Sequence, residues 1–173
     1  MNNQTVDERN QFSKVALAYA KYRRDYPDQV YNLIYNFCEN GESKVLDVGC
    51  GTGIVTKHLE EHYRDIIGSD KEGEMIEIAQ KDSDISFIAA KTEELPFNDE
   101  TFDLVTVASA YHWFDYELAG REIYRVLKPS GKLCVFWKYD RGVSRSYLPN
   151  FAFKNLETFI QKVQPTIKEP VNR

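Results

Sequence analysis

Residues 44–53 read KVLDVGCGTG, and this stretch decides the fold that the sequence predicts. The segment from Lys44 to Val48 is an apolar run typical of a buried strand, and a glycine-rich turn follows it directly. A helical pattern then continues to about His62. A strand that passes through a glycine turn into a helix is the first unit of an alternating α/β fold.

The rest of the chain repeats this alternation. Helices are predicted around Met75 to Ala79 and from about Tyr116, and the turn Pro129-Ser130-Gly131 should end the second of them. The run from Phe102 to Ala108 is almost continuously apolar, as expected of a central parallel strand. The sequence therefore predicts a doubly wound parallel sheet, and its other strands are expected at residues 65–69, 85–89 and 132–137.

Helical patterns are also predicted at both ends of the chain. Pro27 suits the first turn of a helix that Gly41 would end, and a shorter helix is expected from Phe12 to Tyr19. Near the other end, Asn150 is a plausible N-cap for a last helix. The apolar stripe of the helix after Pro27 consists of Val30, Leu33, Ile34, Phe37 and Cys38.

Composition limits the function classes. The 173 residues carry 27 acidic and 22 basic side chains, a net charge of −5, which disfavours binding to nucleic acid because phosphates need a dense basic face. The N-terminus lacks the apolar core of a signal peptide, and the longest apolar stretch, from Leu104 to Phe114, is too short to cross a bilayer. Three cysteines without CxxC spacing suit a reducing compartment, so we expect a cytoplasmic protein without membrane contact.

The glycine turn predicts a ligand site. In an open parallel sheet, ligands bind at the carboxyl ends of the strands, where glycines allow close approach. Asp70 ends the second strand, 21 residues after Gly49, where a carboxylate can accept hydrogen bonds from both hydroxyls of a ribose. A nicotinamide dinucleotide is the rival ligand, but its GxGxxG motif wants glycine or alanine at the position of Ile54. A turn with glycines for packing alone is the structural alternative.

The sequence resembles the class I S-adenosylmethionine-dependent methyltransferases. Residues 45–53 are similar to that family's first motif, and the segments 95–97, 102–105 and 126–131 fit its later ones, so the likeness covers about residues 12 to 138. Segments 22–27 (YRRDYP) and 112–115 (HWFD) resemble the small-molecule branch that includes trans-aconitate and ubiquinone-biosynthesis methyltransferases. The resemblance implies a Rossmann-like sheet ordered 3-2-1-4-5, with S-adenosylmethionine as cofactor and S-adenosylhomocysteine as product.

The resemblance also implies roles for individual residues. The loop Gly49-Cys50-Gly51-Thr52-Gly53 would pass beneath the methionine moiety, with Asp70 on the adenosine ribose and Met75 against adenine. Asp47 would hold the loop or the cofactor amino group, or else only cap the turn. Arg23 would reach the cofactor carboxylate, or else be an exposed arginine. The implied cofactor site also includes Lys71, Thr92, Glu93 and Ala108.

Three positions leave alternatives open. Lys91 stands where relatives often have an aspartate for the adenine amino group, and lysine has no acceptor, so Thr92 and Glu93 or packing would take that part. His112 is a candidate general base for an amine or hydroxyl acceptor, while a pocket wall is its structural alternative. His58 and His62, at i and i+4, suit a solvated helix face better than a metal site because no third ligand is evident.

The predicted organisation is one methyltransferase domain over residues 1–173. Residues 1–41 would form a helical lid, 44–140 the cofactor-binding core, and 141–173 a C-terminal helix and tail. The family ordinarily adds two more strands, which the C-terminal residues could not easily hold. We therefore expect a fragment, a minimal enzyme, or a domain completed by a partner chain or homodimer through the sheet edge. The predicted function is methyl transfer to a small molecule, with a non-catalytic cofactor-binding scaffold as the alternative.

Overall fold

The computed structural model of the chain describes residues 25–81, 83–137 and 150–151. Six strands and four α-helices alternate in this part of the chain, with a short 3-10 helix at Tyr111–Trp113. The α-helices are α1 (Asp28–Phe37), α2 (Ile54–Leu59), α3 (Gly73–Gln80) and α4 (Tyr116–Val126). The strands are β1 (Lys44–Val48), β2 (Asp65–Asp70), β3 (Ser86–Ala89), β4 (Phe102–Ala108), β5 (Leu127–Phe136) and β6 (Asn150–Phe151).

The strands form one sheet in the order β3-β2-β1-β4-β5-β6. The first five are parallel, and β6 pairs antiparallel with β5, Asn150 opposite Cys134 and Phe151 opposite Leu133. The predicted doubly wound order 3-2-1-4-5 is confirmed. β1 lies between β2 and β4, so the chain changes direction across the sheet at β1, and the ends of β1 and β4 flank this switch point.

Helices cover both faces of the sheet. On one face, α1, α2 and α3 bury Ile34, Leu59 and Ala79 in a core shared with β1. On the other face, α4 buries Ile123 and Val126 against the central strands. The alternation of side chains along β1 explains both cores, because its successive residues point to opposite faces.

Several details differ from the sequence predictions, and one is that α2 ends at Leu59 instead of about His62. The fifth strand begins at Leu127, directly after α4, and the turn at Pro129 lies inside it as a register shift opposite the start of β4. α1 ends at Phe37; Gly41 follows in a turn where a Cβ would lie 2.9 Å from the His62 carbonyl oxygen. Asn150 lies in β6 instead of capping a helix. Pro27 is the N-cap of α1, one position before its first turn.

Other predictions fall outside the described residues, including the helix from Phe12 to Tyr19 and the body of the last helix. Within residues 25–81, 83–137 and 150–151, no helix is long and apolar enough to cross a membrane.

Candidate functional site

The glycine turn joins β1 to α2 at the carboxyl edge of the sheet. Gly49, Gly51 and Gly53 have φ angles of 67°, 55° and 78°, a left-handed backbone that other residues rarely adopt. The Cys50 amide donates to the Ser69 carbonyl oxygen at 3.0 Å, so the turn is held against the end of β2. This backbone path explains why the sequence has a glycine at every second position.

The three glycines differ in what surrounds them. A Cβ on Gly49 would lie 2.5 Å from the Ala110 Cβ, and one on Gly53 would lie 2.8 Å from the Phe87 ring. A Cβ on Gly51 would meet no atom within 4 Å. Gly49 and Gly53 are therefore required by packing as well as by their backbone, whereas Gly51 presents open backbone at the middle of the turn.

Asp70 links the turn to the end of β2. Its Oδ2 accepts from the Gly51 amide at 2.9 Å, and its Oδ1 accepts from the Glu72 amide at 3.0 Å. The predicted carboxylate and the open glycine are thus brought into direct contact. Each carboxylate oxygen has a further lone pair, so Asp70 can accept from ligand hydroxyls while holding the turn.

Asp47 lies beneath the turn and is almost completely buried. Its Oδ2 accepts from the Thr56 hydroxyl at 2.7 Å and its Oδ1 from the Thr106 hydroxyl at 2.8 Å. Burial raises the pKa of Asp47 to about 6, although these hydrogen bonds oppose the shift. Asp47 therefore joins β1 to α2 and β4. It has a structural role in holding these elements together beneath the turn.

Two further side chains of the turn point inward. The Thr52 side chain is buried, and its Oγ1 has no hydrogen-bond partner within the described part of the chain. The Cys50 thiol lies near the Gly51 carbonyl oxygen, and burial raises its pKa well above the usual value. A neutral thiol is a weak nucleophile, so Cys50 fits a packing role.

The segment after β3 lies beside Asp70, since the Ala90 amide donates to the Asp70 carbonyl oxygen at 2.9 Å. Thr92 is buried, and Glu93 Oε1 accepts from the Asp115 amide at 2.9 Å. This last bond joins the segment to the start of α4. Of the other predicted contacts in this region, Lys71 is exposed and pairs with Glu72 at 3.8 Å, whereas Met75 is half-buried in α3.

The loop after β4 packs on the turn through Ala110 and Phe114, both of which a Cβ on Gly49 would meet. His112 lies between them in the 3-10 helix with its ring exposed, and the Trp113 side chain is 73% exposed. Desolvation lowers the pKa of His112, which favours the neutral imidazole near pH 7. Ala108, which was also predicted to belong to the cofactor site, is the half-buried last residue of β4.

The prediction that His58 and His62 lie on a solvated helix face is wrong. Their rings stack on α1, His58 on Tyr31 with centroids 3.5 Å apart and His62 on Tyr35 at 4.3 Å. His58 Nδ1 also lies 3.0 Å from Asp25 Oδ2. Among residues 25–81, 83–137 and 150–151, no group of three His, Cys, Asp or Glu side chains could hold a metal ion.

Arg23 lies outside the described residues. Two features of this region were not predicted from the sequence: the hydroxyls of Thr56 and Thr106 on Asp47, and the bond between Tyr26 and Ser109. Thr106 could have been singled out from the sequence, because it is a polar residue inside an otherwise mostly apolar strand. The Tyr26–Ser109 bond joins residues 83 positions apart, and no local pattern reports such a contact.

The central part of the chain is similar to known proteins. Residues 46–135, just over half of the chain, match the family described as Methyltransferase domain. The ubiquinone/menaquinone biosynthesis C-methyltransferase UbiE of Rickettsia prowazekii is 36% identical over an alignment that covers 66% of this chain and 52% of that protein. A Saccharomyces cerevisiae protein named "Probable S-adenosylmethionine-dependent methyltransferase CRG1" is 33% identical over 70% of this chain and 44% of its own.

Among solved structures, the YcgJ protein of Bacillus subtilis superposes with a TM-score of 0.59 at 31% identity, covering 65% of this chain and 52% of that one. The chain spans about half the length of the curated relatives it matches.

Proposed function

The chain belongs to the S-adenosylmethionine-dependent methyltransferase family, and from this premise we propose that it transfers a methyl group from S-adenosylmethionine to a small molecule. The observation that carries the proposal is the bond between Asp70 Oδ2 and the Gly51 amide, beside open backbone at Gly51. A carboxylate that can accept hydrogen bonds from ribose hydroxyls, in contact with a glycine turn, suits a nucleoside ligand. The Thr52 hydroxyl, which has no hydrogen-bond partner among residues 25–81, 83–137 and 150–151, adds a polar group that is buried in the same turn.

The residues of the carboxyl edge fit the cofactor. Asp70 would accept hydrogen bonds from the ribose hydroxyls, and the turn would run along the methionine moiety, with Asp47 holding it from below. Met75, Thr92 and Glu93 would surround adenine, while Ala108 and Lys71 would line the rim of the site. Arg23 would bind the cofactor carboxylate. When bound, the cofactor supplies a methyl group activated by its positively charged sulfur.

The protein's part in the reaction is mainly alignment and exclusion of water. The acceptor must approach the methyl carbon opposite the sulfur, so that its bond forms as the carbon–sulfur bond breaks and S-adenosylhomocysteine leaves. Charge disappears during this displacement, and an apolar wall such as Phe114 does not oppose that change. A carboxylate acceptor needs no base. For an amine or hydroxyl acceptor, neutral His112 would remove the proton.

The acceptor is proposed to be a small molecule because segments 22–27 and 112–115 resemble the small-molecule branch and UbiE is among the relatives. The net charge of −5 argues against a nucleic acid acceptor. Trp113 and His112 are exposed between Ala110 and Phe114, the two residues that pack on Gly49, so we expect their side chains to contact the acceptor.

The proposal is tested by incubating the purified chain with S-adenosylmethionine and panels of small carboxylic acids, phenols and amines, and measuring S-adenosylhomocysteine. We expect release with at least one panel, and a loss of about 100-fold in Asp70→Ala. Glu42→Ala, which removes an exposed carboxylate outside the site, is the matched control. Binding of S-adenosylhomocysteine without turnover on any panel would replace the enzyme by a cofactor-binding scaffold completed by a partner chain.

A further inference from the structure

Tyr26 joins the segment before α1 to the carboxyl edge of the sheet. Its hydroxyl lies 2.7 Å from the Ser109 Oγ, and its ring packs edge-on against Phe136 at the end of β5 with centroids 4.9 Å apart. The Tyr26 side chain is buried. The Tyr26 side chain thus contacts residues at the carboxyl ends of two adjacent strands, β4 and β5.

Ser109 is held in an unusual backbone conformation. Its φ of 54° is in the left-handed region, which a residue other than glycine adopts at a cost. The Ser109 amide donates to the Phe136 carbonyl oxygen at 2.7 Å. Strained residues of this kind cluster at functional sites, and Ser109 lies between Ala108 and the Ala110 that packs on Gly49.

Asp25, the residue before Tyr26, fastens the same segment to α1 and α2. Asp25 accepts from the Tyr26 amide and the Tyr31 hydroxyl, and its other oxygen lies 3.0 Å from His58 Nδ1. The segment before α1 is therefore fastened to α1 and α2 through Asp25 and to the carboxyl edge of the sheet through Tyr26.

We propose that Tyr26 is a positioning residue for the cofactor site, acting through Ser109. The pair of hydroxyls holds the segment before α1 against the loop that packs on the glycine turn, and so fixes the position of that loop. This inference rests on the proposed function. When the bond is lost, the fraction of molecules with the loop and segment in place falls, and the apparent cofactor affinity falls with it.

A double-mutant cycle on the binding of S-adenosylhomocysteine tests this. Tyr26→Phe and Ser109→Ala should each raise the dissociation constant about five-fold, the value of one ordinary hydrogen bond, and the double variant should be no weaker than either. Ser109→Gly should weaken binding like Ser109→Ala although it relieves the backbone. Tyr63→Phe is the matched control, because it removes a buried hydroxyl that donates to the Cys38 carbonyl oxygen at 2.7 Å, away from the cleft.

The control should lower the thermal midpoint and leave the dissociation constant unchanged. The inference is overturned if wild type binds and Tyr26→Phe binds equally well, if the two effects add, or if Tyr63→Phe weakens binding as much. Failure of wild type itself to bind would instead overturn the proposed function, and this inference with it.

Discussion

The two ends of the parallel strands use polar residues in opposite ways. At the amino ends, charges are neutralised within the protein: Lys128 donates to Asp103 at 2.8 Å, and Arg125 donates to Glu122, Asp99 and two backbone carbonyl oxygens. At the carboxyl ends, carboxylates accept hydrogen bonds from backbone amides and threonine hydroxyls: Asp70 from the Gly51 and Glu72 amides, and Asp47 from Thr56 and Thr106. Within the described residues, three buried side-chain atoms lack a hydrogen-bond partner: the Thr52 and Ser69 hydroxyls, which lie at the carboxyl ends, and His62 Nε2, which lies beyond the end of α2.

This difference separates stability from function along a single sheet. A paired charge at the amino ends contributes to folding and has nothing left to offer a ligand. The carboxyl ends keep open backbone at Gly51 and spare lone pairs on Asp70, both of which a ligand can use. Substitutions at the two edges should therefore have separable effects on binding and on unfolding.

The largest effect is expected from Asp70→Ala. It removes the proposed acceptor for two ribose hydroxyls and frees the Gly51 amide, so we expect S-adenosylhomocysteine to bind about 100-fold more weakly by calorimetry. The thermal midpoint of unfolding should also fall, because the Gly51 and Glu72 amides lose their acceptor, but the loss of affinity should be the larger effect. Unchanged affinity would mean that the carboxyl edge is no more a binding surface than the amino edge.

Arg125→Met should have the opposite profile. The guanidinium bonds the Leu95 and Phe97 carbonyl oxygens at 3.0 and 2.7 Å, so its loss should lower the free energy of unfolding by about 2 kcal/mol. Urea denaturation measures that loss, and the dissociation constant should stay within about two-fold of wild type. A large loss of affinity in this variant would show that the edges are coupled.

Gly51→Ala sharpens the comparison within the turn. A Cβ there meets no atom, but φ is 55°, so we expect strain of about 1 kcal/mol and binding weakened several-fold. Gly73→Ala in α3 is the control. Its Cβ also meets no atom and its φ is ordinary, so alanine should match or raise the thermal midpoint without altering affinity. Equal behaviour of the two variants would contradict the account of the turn.

The smallest effect distinguishes the two edges by pH. Burial raises the pKa of Asp47 to about 6, so the folded state takes up a proton before the unfolded state, and this group adds about 1 kcal/mol of stability as pH falls from 7 to 5. The pKa of Asp103 is lowered: burial alone would raise it, but hydrogen bonds from Lys128 and from the Lys44 amide prevail. Its stabilisation is present above the unfolded pKa and is lost in acid.

Denaturation of Asp47→Asn and Asp103→Asn between pH 7 and the acid limit measures this. Relative to wild type, the first variant should lose the gain on acidification, and the second should lose some of the acid sensitivity. Parallel curves for wild type and both variants would show that neither carboxyl group titrates differently on folding.

The sequence could predict the fold because the decisive signals were local. The apolar runs of β1 and β4 set their bounds correctly, and the glycine spacing and Asp70 predicted two features that the structure brings into contact at the carboxyl edge. The start of β5 was harder to predict. Pro129 is typical of a turn, yet it lies inside a strand whose register shifts around it. Stacking of His58 and His62 on α1 depends on how two helices pack, which periodicity alone does not report.

The central claim is that the carboxyl edge is built for an adenosyl cofactor, and calorimetric titration of the purified chain with S-adenosylhomocysteine tests it most directly, with NADH in a parallel cell. The account predicts micromolar binding of S-adenosylhomocysteine, about −8 kcal/mol, and no heat of binding from NADH. A folded chain that binds neither ligand, or binds NADH as well as S-adenosylhomocysteine, would contradict it.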